Sequence, residues 1–512
     1  MTFFVYFCGR LFFWSMLTSI HIIGILVTIG VLVVLGVLSG RKVRDARSFV
    51  AGGTAGSWMV CGAILGTLVG GQSTIGTAQL AFSFGLSAWW FTIGAALGAL
   101  LLGLVYAKPI RSSGCVTLME IVRQQYGRKA ETVGSILFLV GIFISITSQL
   151  LSSSALITSL SGIPTFVALG VSALLVALLV IFGGIRSAGA SGIVKLVLLY
   201  ICSLASGIVV WKIGGGLGGI EHSIADVYTT PGLAEMNGMD DLESIHQRYG
   251  NPIARGPLKD LGGCLSLVLG VVCTQTYAQA IWSAATTEKA RRGAVLCAAL
   301  IPLIGAACTL VGMYMRGHYV TSAEMEALRQ QGEVLPEGVG VLQNSLQAFP
   351  TFILTNLPEW LGGIALGTLL INVLGCGSGL VLGAATIVTR DVWRVDYSNG
   401  RQALRAMRLT IVAILLLGLA VAHFVRGSFI NDLGFLSLGL RAAALLLPLS
   451  FALWLPGRFR SRAVILSMVA GTAAMLVAGV LSLAPDPMYY GLAASAIVLF
   501  STNKAKNISL SD

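Results

Sequence analysis

Gly66-Thr67-Leu68-Val69-Gly70-Gly71-Gln72-Ser73 and Gly270-Val271-Val272-Cys273-Thr274-Gln275-Thr276-Tyr277 lie inside two apolar segments, Trp58–Ala81 and Leu261–Ala285. Each segment is long enough to cross a bilayer as a helix. Glycine, hydroxyl and amide residues at mid-depth predict that both helices are interrupted. An unwound stretch in lipid leaves N–H and C=O groups without partners, at several kcal/mol each, so protein, water or a ligand must satisfy them. A pair of interrupted spans in corresponding halves of a chain points to the binding site of a secondary transporter.

The composition agrees. Hydrophobic residues make up 56% of the chain and charged residues 11%, which excludes an ordinary soluble protein. Thirteen apolar runs recur, from Ile20–Leu38 to Met488–Phe500. The run Ala130–Leu160 reads either as one long tilted helix or as a span plus a surface turn. The net charge of +12 comes from basic clusters after every second span, such as Arg41 to Arg47, Lys108 to Lys129, Lys289 to Arg292 and Arg390 to Arg405. The alternate connections are acidic or nearly uncharged. The positive-inside rule therefore places the N-terminus outside and the C-terminus in the cytoplasm of a multi-pass protein of the plasma (inner) membrane, with no nucleic-acid partner. Met1–Ser15 lacks the basic start and cleavage site of a signal peptide, and the native start is read as Met1 or Met16. No CxxC spacing, Cys/His cluster, Ser/His/Asp set or paired Asp sits at span depth, so neither a metal centre nor an enzyme is expected.

The span order divides the chain. Residues 1–57 hold an N-terminal extension and the first helix. Residues 58–211 hold helices two to six, and 261–456 hold helices seven to eleven. Residues 457–512 add helices twelve and thirteen and a cytoplasmic tail. Each block of five opens on an interrupted span, and five is odd, so the second block is inserted upside down: an inverted repeat. The extracellular loop 212–260 and the connection Arg316–Pro358, with a surface helix at Ser322–Gln331, are expected as solvated loops, or alternatively as a lid.

Four stretches carry a family likeness: Phe49-Val50-Ala51-Gly52-Gly53, Val69 to Gly76, Gly85-Leu86-Ser87-Ala88-Trp89-Trp90-Phe91, and Thr274 to Ala280 followed by Ala290-Arg291-Arg292-Gly293-Ala294. With Thr117-Leu118-Met119-Glu120 and Tyr126-Gly127, the chain from about Ser48 to Arg462 resembles the sodium:solute symporters. The resemblance implies an all-α polytopic membrane protein of about thirteen helices with a five-plus-five, LeuT-like inverted repeat (the APC superfamily) and flanking helices. It implies Na⁺-coupled uptake of a small organic solute by alternating access. The alternative is a membrane solute sensor working with a separate kinase partner.

By the same likeness, sodium is held by the carbonyls of Gly66 and Val69 and by Asn372, Gly375 and Cys376. Na⁺ is a hard cation that prefers oxygen, which unwound backbone supplies. The chain departs from the family pattern where Ser or Thr is usual: Gly375 offers no side chain and Cys376 a thiol, a poor ligand for a hard ion. It departs again at Ser191-Gly192, where a Thr-Asp pair is common. Lys195 follows one turn later. Its ammonium either snorkels to the interface or occupies the weakened cation site and couples transport to H⁺ in place of Na⁺.

Around the breaks, Gln72, Ser73, Gln149, Thr274, Gln275 and Tyr277 are candidate solute contacts, or else helix–helix contacts. Tyr277 is also a candidate gate. Arg441, inside span eleven, either snorkels near Asp432 or pairs with a substrate anion such as a carboxylate or amino acid.

Overall fold

The computed structural model describes residues 17–40, 54–115, 117–183, 190–239, 241–393, 400–425 and 427–502. The choice of Met1 or Met16, the cluster Arg41 to Arg47, the motif Phe49 to Gly53 and the side chains of Ser191 and Gly192 lie outside the described residues.

The chain opens with α1 (Ser19–Gly40), then α2 (Ser57–Leu68) and, after an irregular turn, α3 (Thr77–Phe84). Helices α4 (Trp90–Leu101) and α5 (Ala107–Ser112) run on through a wide turn, and the amphipathic α6 (Leu118–Tyr126) leads into α7 (Arg128–Ser161). Helices α8 (Thr165–Leu178) and α9 (Ala190–Ile213) close the first half. The connection after α9 carries α10 (Gly216–Val227), α11 (Pro231–Asn237) and α12 (Leu242–Ile245). The second half begins with α13 (Pro257–Val272), α14 (Gln275–Ser283) and α15 (Thr287–Arg316). The next connection holds β1 (Tyr319–Thr321), α16 (Ser322–Gln331), β2 (Gly340–Leu342) and α17 (Ala348–Asn356). The chain finishes with α18 (Glu359–Ile387), α19 (Gly400–Phe424), α20 (Ile430–Trp454), α21 (Ser461–Val480) and α22 (Pro487–Thr502).

Among the described residues, eight helical stretches are long and apolar enough to span a membrane, or nine if the bent pair α13–α14 is one span; four shorter apolar helices accompany them. Large apolar side chains such as Leu409, Leu416, Ile208 and Phe166 stay exposed on their outer faces, as lipid-facing residues do. The run Ala130–Leu160 is a single helix, α7, ended by Gly162 in the left-handed conformation.

Close helix approach is built from small residues. A methyl group on Gly94 would stand 2.9 Å from the Cys264 carbonyl, and one on Gly98 2.8 Å from Val271 Cβ. This seats α4 directly on α13.

At one end, Ala55 pairs with Ala284 in an isolated bridge, and Arg111 Nη1 donates to the carbonyls of Ile281, Trp282 and Ala284 at 2.9, 3.1 and 2.7 Å. A cation at the C-terminus of α14 satisfies carbonyls that the helix leaves open.

These two long connections differ from the solvated loops expected of them. Thr321 and Glu324 form a capping box on α16, and β1 pairs with β2 in parallel. The buried Arg316 donates to Glu324 at 2.8 and 2.9 Å and to the Tyr228 hydroxyl at 3.1 Å, while Gly232 N donates to Glu333 at 2.8 Å. Burial alone would raise the Glu324 carboxyl, but the Arg316 guanidinium outweighs it and holds the group below the usual carboxylate range. Leaving Arg316 buried without its partners would cost several kcal/mol, so both connections fold as one packed cover.

Candidate functional site: a polar chamber between two helix breaks

The first break spans Val69 to Gly71, between the last turn of α2 and a wide turn at Gln72–Gly76. Val69 leaves the helix at φ −91°, ψ 88°. A side chain on Gly71 would collide with Ser152, and one on Gly70 would stand 3.0 Å from Gln149 Nε2 and 3.1 Å from Cys376 Sγ, so the unwound strand fits only as glycine. The second break lies at Cys273–Thr274, where α13 and α14 bend by 47°.

The residues expected at a cation site meet at the first break. Asn372 Nδ2 donates to the Val69 carbonyl at 2.9 Å, and Cys376 Sγ lies 3.5 Å from the Gly66 carbonyl and 3.9 Å from that of Val69. Asn372 Oδ1 is buried without a partner. Two backbone carbonyls and an amide oxygen without a partner are hard oxygen donors of the kind Na⁺ takes. Gly375 offers no side chain there, and its carbonyl accepts from Ser378 Oγ at 2.8 Å. Its bare Cα faces Lys195 instead, and a methyl built there would lie 3.5 Å from Lys195 Nζ.

Thr67, Leu68, Gln72, Phe91, Ser145, Gln149, Tyr277, Leu380, Leu438 and Arg441 line a cavity of about 20 Å³. That volume holds about one water. Gln149 Oε1 accepts from Gly71 N at 3.2 Å, and Gln72 Nε2 donates to Ser148 Oγ at 2.7 Å. Both amides therefore brace the unwound strand and face the chamber.

Arg441 sits midway along α20, 2% exposed. Its Nη2 donates to Ser145 Oγ at 2.8 Å and Ser437 Oγ at 3.0 Å, and its Nη1 to Thr274 Oγ1 at 3.3 Å. Nε has no partner, and no carboxylate pairs with the group among the described residues. The snorkelling alternative near Asp432 does not hold, because Asp432 binds Arg255 instead. A buried guanidinium held only by neutral hydroxyls keeps the capacity to pair with an anion.

Three expected solute contacts are turned to other work. Ser73 Oγ donates back to the Leu68 carbonyl at 3.1 Å, satisfying the broken helix. Gln275 Oε1 accepts from Leu118 N at 2.8 Å, serving an open N–H in the first turn of α6. Thr274 stands behind Arg441, its own hydroxyl donating to the Gly270 carbonyl at 2.7 Å. Ser145 and Ser437 were missed by sequence. Ser145, Ser148, Gln149 and Ser152 form a polar stripe at helical spacing on α7, and Ser437 lies one turn before Arg441.

A polytopic helical membrane protein with two mid-membrane helix breaks around a polar chamber belongs to the transporter class. The chain is a member of the sodium:solute symporter family, whose model matches residues 48–471. It is 24% identical over 355 residues to the high-affinity choline transporter 1 of Torpedo marmorata, covering 67% of this chain and 56% of that one. It is 24% identical over 390 residues to the sodium/glucose cotransporter 1 of Sus scrofa, with 73% and 58% covered. It is likewise 24% identical over 389 residues to the uncharacterized symporter YwcA of Bacillus subtilis, with 75% and 70% covered. The chain thus spans under two thirds of the length of the choline and glucose transporters it matches. Its fold is similar to that of a Na⁺-coupled sialic acid symporter in a substrate-bound outward-open state, with a TM-score of 0.66, 15% identity, and 94% and 97% of the two chains covered.

Proposed function

We propose that the chain is a cation-coupled symporter that carries a small organic anion, a carboxylate or amino acid, by alternating access. The observation that carries this reading is Arg441, a mid-membrane guanidinium on the chamber wall with hydroxyl partners and no carboxylate. The solute is bound between Arg441, Gln72, Gln149 and Tyr277. The coupling cation, Na⁺, is bound by the carbonyls of Gly66 and Val69 with Asn372 and Cys376. The thirteen helices form the five-plus-five inverted repeat with its flanking helices, in the plasma membrane, N-terminus outside and C-terminus inside. Cation binding favours one conformation only through its higher affinity for it. The sensor alternative draws no support from the transporters the chain is similar to.

A second coupling reading is favoured by one contact, Lys195 Nζ over Gly375. There the tethered ammonium stands in for the metal cation, and transport follows H⁺ instead of Na⁺.

The test is uptake into proteoliposomes of radiolabelled carboxylates, neutral sugars and choline, with an imposed Na⁺ or pH gradient. Accumulation of a carboxylate that needs Na⁺ supports the main reading. Accumulation driven by pH alone supports the Lys195 reading. Uptake of neutral or cationic solutes only would overturn the assignment of Arg441.

A further inference from the structure

Moving outward from the chamber, Phe91 packs against Phe435 with ring centroids 5.3 Å apart and the planes tilted by 57°. Gly434, beside them, is so close that a methyl there would stand 3.0 Å from Gln72 Nε2. The guanidinium of Arg255 lies over the other face of this roof, 5.5 Å from the Phe435 ring centroid. Arg255 comes from the short connection before α13, and its side chain is only 3% exposed.

Two carboxylates hold it unequally. Asp260, fully buried on α13, accepts from Arg255 Nε at 2.8 Å and from Arg255 N at 3.2 Å, and is itself held by Ser87 Oγ at 2.8 Å. Asp432, at the start of α20, accepts from Nη1 at 2.7 Å with its side chain 39% exposed. Nη2 is buried and makes no hydrogen bond. The Asp260 bond stays within one element and its adjoining loop, whereas the Asp432 bond crosses to a helix 177 residues away. Any outward opening that parts α13 from α20 breaks the second bond and keeps the first.

We infer that Arg255 is an outer anion-capture site for the transported solute, closed by Asp432 acting as a built-in competitor. The inference rests on the anionic-solute reading of Arg441. When Asp432 moves away, Nη1 and the already unpartnered Nη2 face the outer vestibule as a fork that fits one carboxylate. Asp260 holds that fork in place. The solute then passes from Arg255 across the Phe91–Phe435 roof to Arg441. On release, Asp432 returns to the fork and seals the outer side. The two arginines form a relay along one path, and the rings between them keep a water-excluding septum whose positive edges can face a passing carboxylate.

The experiment uses the full chain in proteoliposomes, with acetate, lactate, pyruvate, succinate and N-acetylneuraminate as probes and the one of lowest KM chosen for kinetics. Arg255→Gln is expected to raise KM about ten-fold with Vmax within about two-fold, the loss of one charge-assisted contact. Asp432→Asn removes the competitor and is expected to lower KM about three-fold. Asp432→Glu, which keeps the competing charge, should remain near the wild-type KM. If Arg255→Gln fails to fold, the half-exposed Asp432→Asn carries the test alone. A KM indifferent to Asp432→Asn, or raised by it, makes the trio a structural clasp and overturns the capture site. Carboxylate uptake that is lost in Arg441→Gln but untouched by Arg255 and Asp432 variants overturns this inference alone. A wild-type chain that takes up no probe overturns both.

Discussion

Replacing Arg441 by Met should weaken the solute and strengthen the empty protein, a combination no structural arginine gives. The bonds that Arg441 makes are to hydroxyls with other partners. Ser145 and Ser437 also bond each other at 2.6 Å, Ser437 donates to the Gly141 carbonyl at 2.5 Å, and Thr274 donates to that of Gly270 at 2.7 Å. Removing the guanidinium therefore leaves no new buried polar group unpaired. It also removes a charge whose Nε has no partner, and replacing such buried charge by an apolar side chain of similar volume is neutral or stabilising by about 1–4 kcal/mol. The bound carboxylate loses a charge-assisted pair of about 2–3 kcal/mol, a rise of roughly 30- to 150-fold in Kd. Thermal unfolding of purified protein with and without the transported carboxylate measures both effects. Wild type should gain stability with ligand by mass action, and Arg441→Met should start at the same or higher temperature and gain almost nothing. An empty variant destabilised by 3 kcal/mol or more, roughly the cost of breaking a buried network, would refute the reasoning and make Arg441 a structural group.

Cys376→Ser exchanges a thiol for a hard oxygen beside the Gly66 and Val69 carbonyls and should lower the half-saturating Na⁺ concentration of uptake by several-fold; an unchanged value argues against a metal cation there. Gly71→Ala drives a methyl into Ser152 and should cost about 2 kcal/mol or more of stability, while the double change with Ser152→Gly restores part of it, as read from thermal unfolding. Asp486, in the connection before α22, is pushed up to about 6 chiefly by burial, with Asp432 adding to the rise. The folded chain thus keeps a proton between about pH 4 and 6 that the unfolded chain has lost, and stability falls as pH rises through that window. Asp486→Asn, which preserves the acceptor for Met488 N, should therefore raise unfolding stability by about 2 kcal/mol at pH 8 and by less at pH 5; an equal effect at both would contradict it.

The breaks were legible because lipid tolerates no idle backbone, so Gly70-Gly71 and Cys273-Thr274 at mid-span announce a cavity wherever they fall. Asn372 and Cys376, more than three hundred residues from Val69, were named by likeness to the family, and both lie against its carbonyl. Depth, however, does not give direction. Ser73 and Gln275 lie at the right level, but Ser73 turns to the Leu68 carbonyl that the interruption exposes and Gln275 to Leu118 N at the start of α6. Arg255 was invisible for another reason. In Asn251-Pro252-Ile253-Ala254-Arg255-Gly256 it reads as one more loop cation, and only the docking of α20 gives it Asp432 and a ring of Phe435.

The charges that remain set the sign of coupling between the two proposed ligands. In the empty protein the chamber wall carries the Arg441 cation, and Lys195 brings a second positive charge to Gly375 at the cation group; among the described residues no acidic side chain pairs with either. Adding Na⁺ at the Gly66 and Val69 carbonyls places a further positive charge in the same low-dielectric interior, which is unfavourable alone. A solute anion at Arg441 offsets that repulsion, so each ligand raises the affinity of the other by the same factor. Coupling of this sign needs no relay of moving parts, only proximity in a medium that screens poorly. A neutral solute would leave the repulsion in place, so the proposed cation-driven cycle favours an anion as its partner.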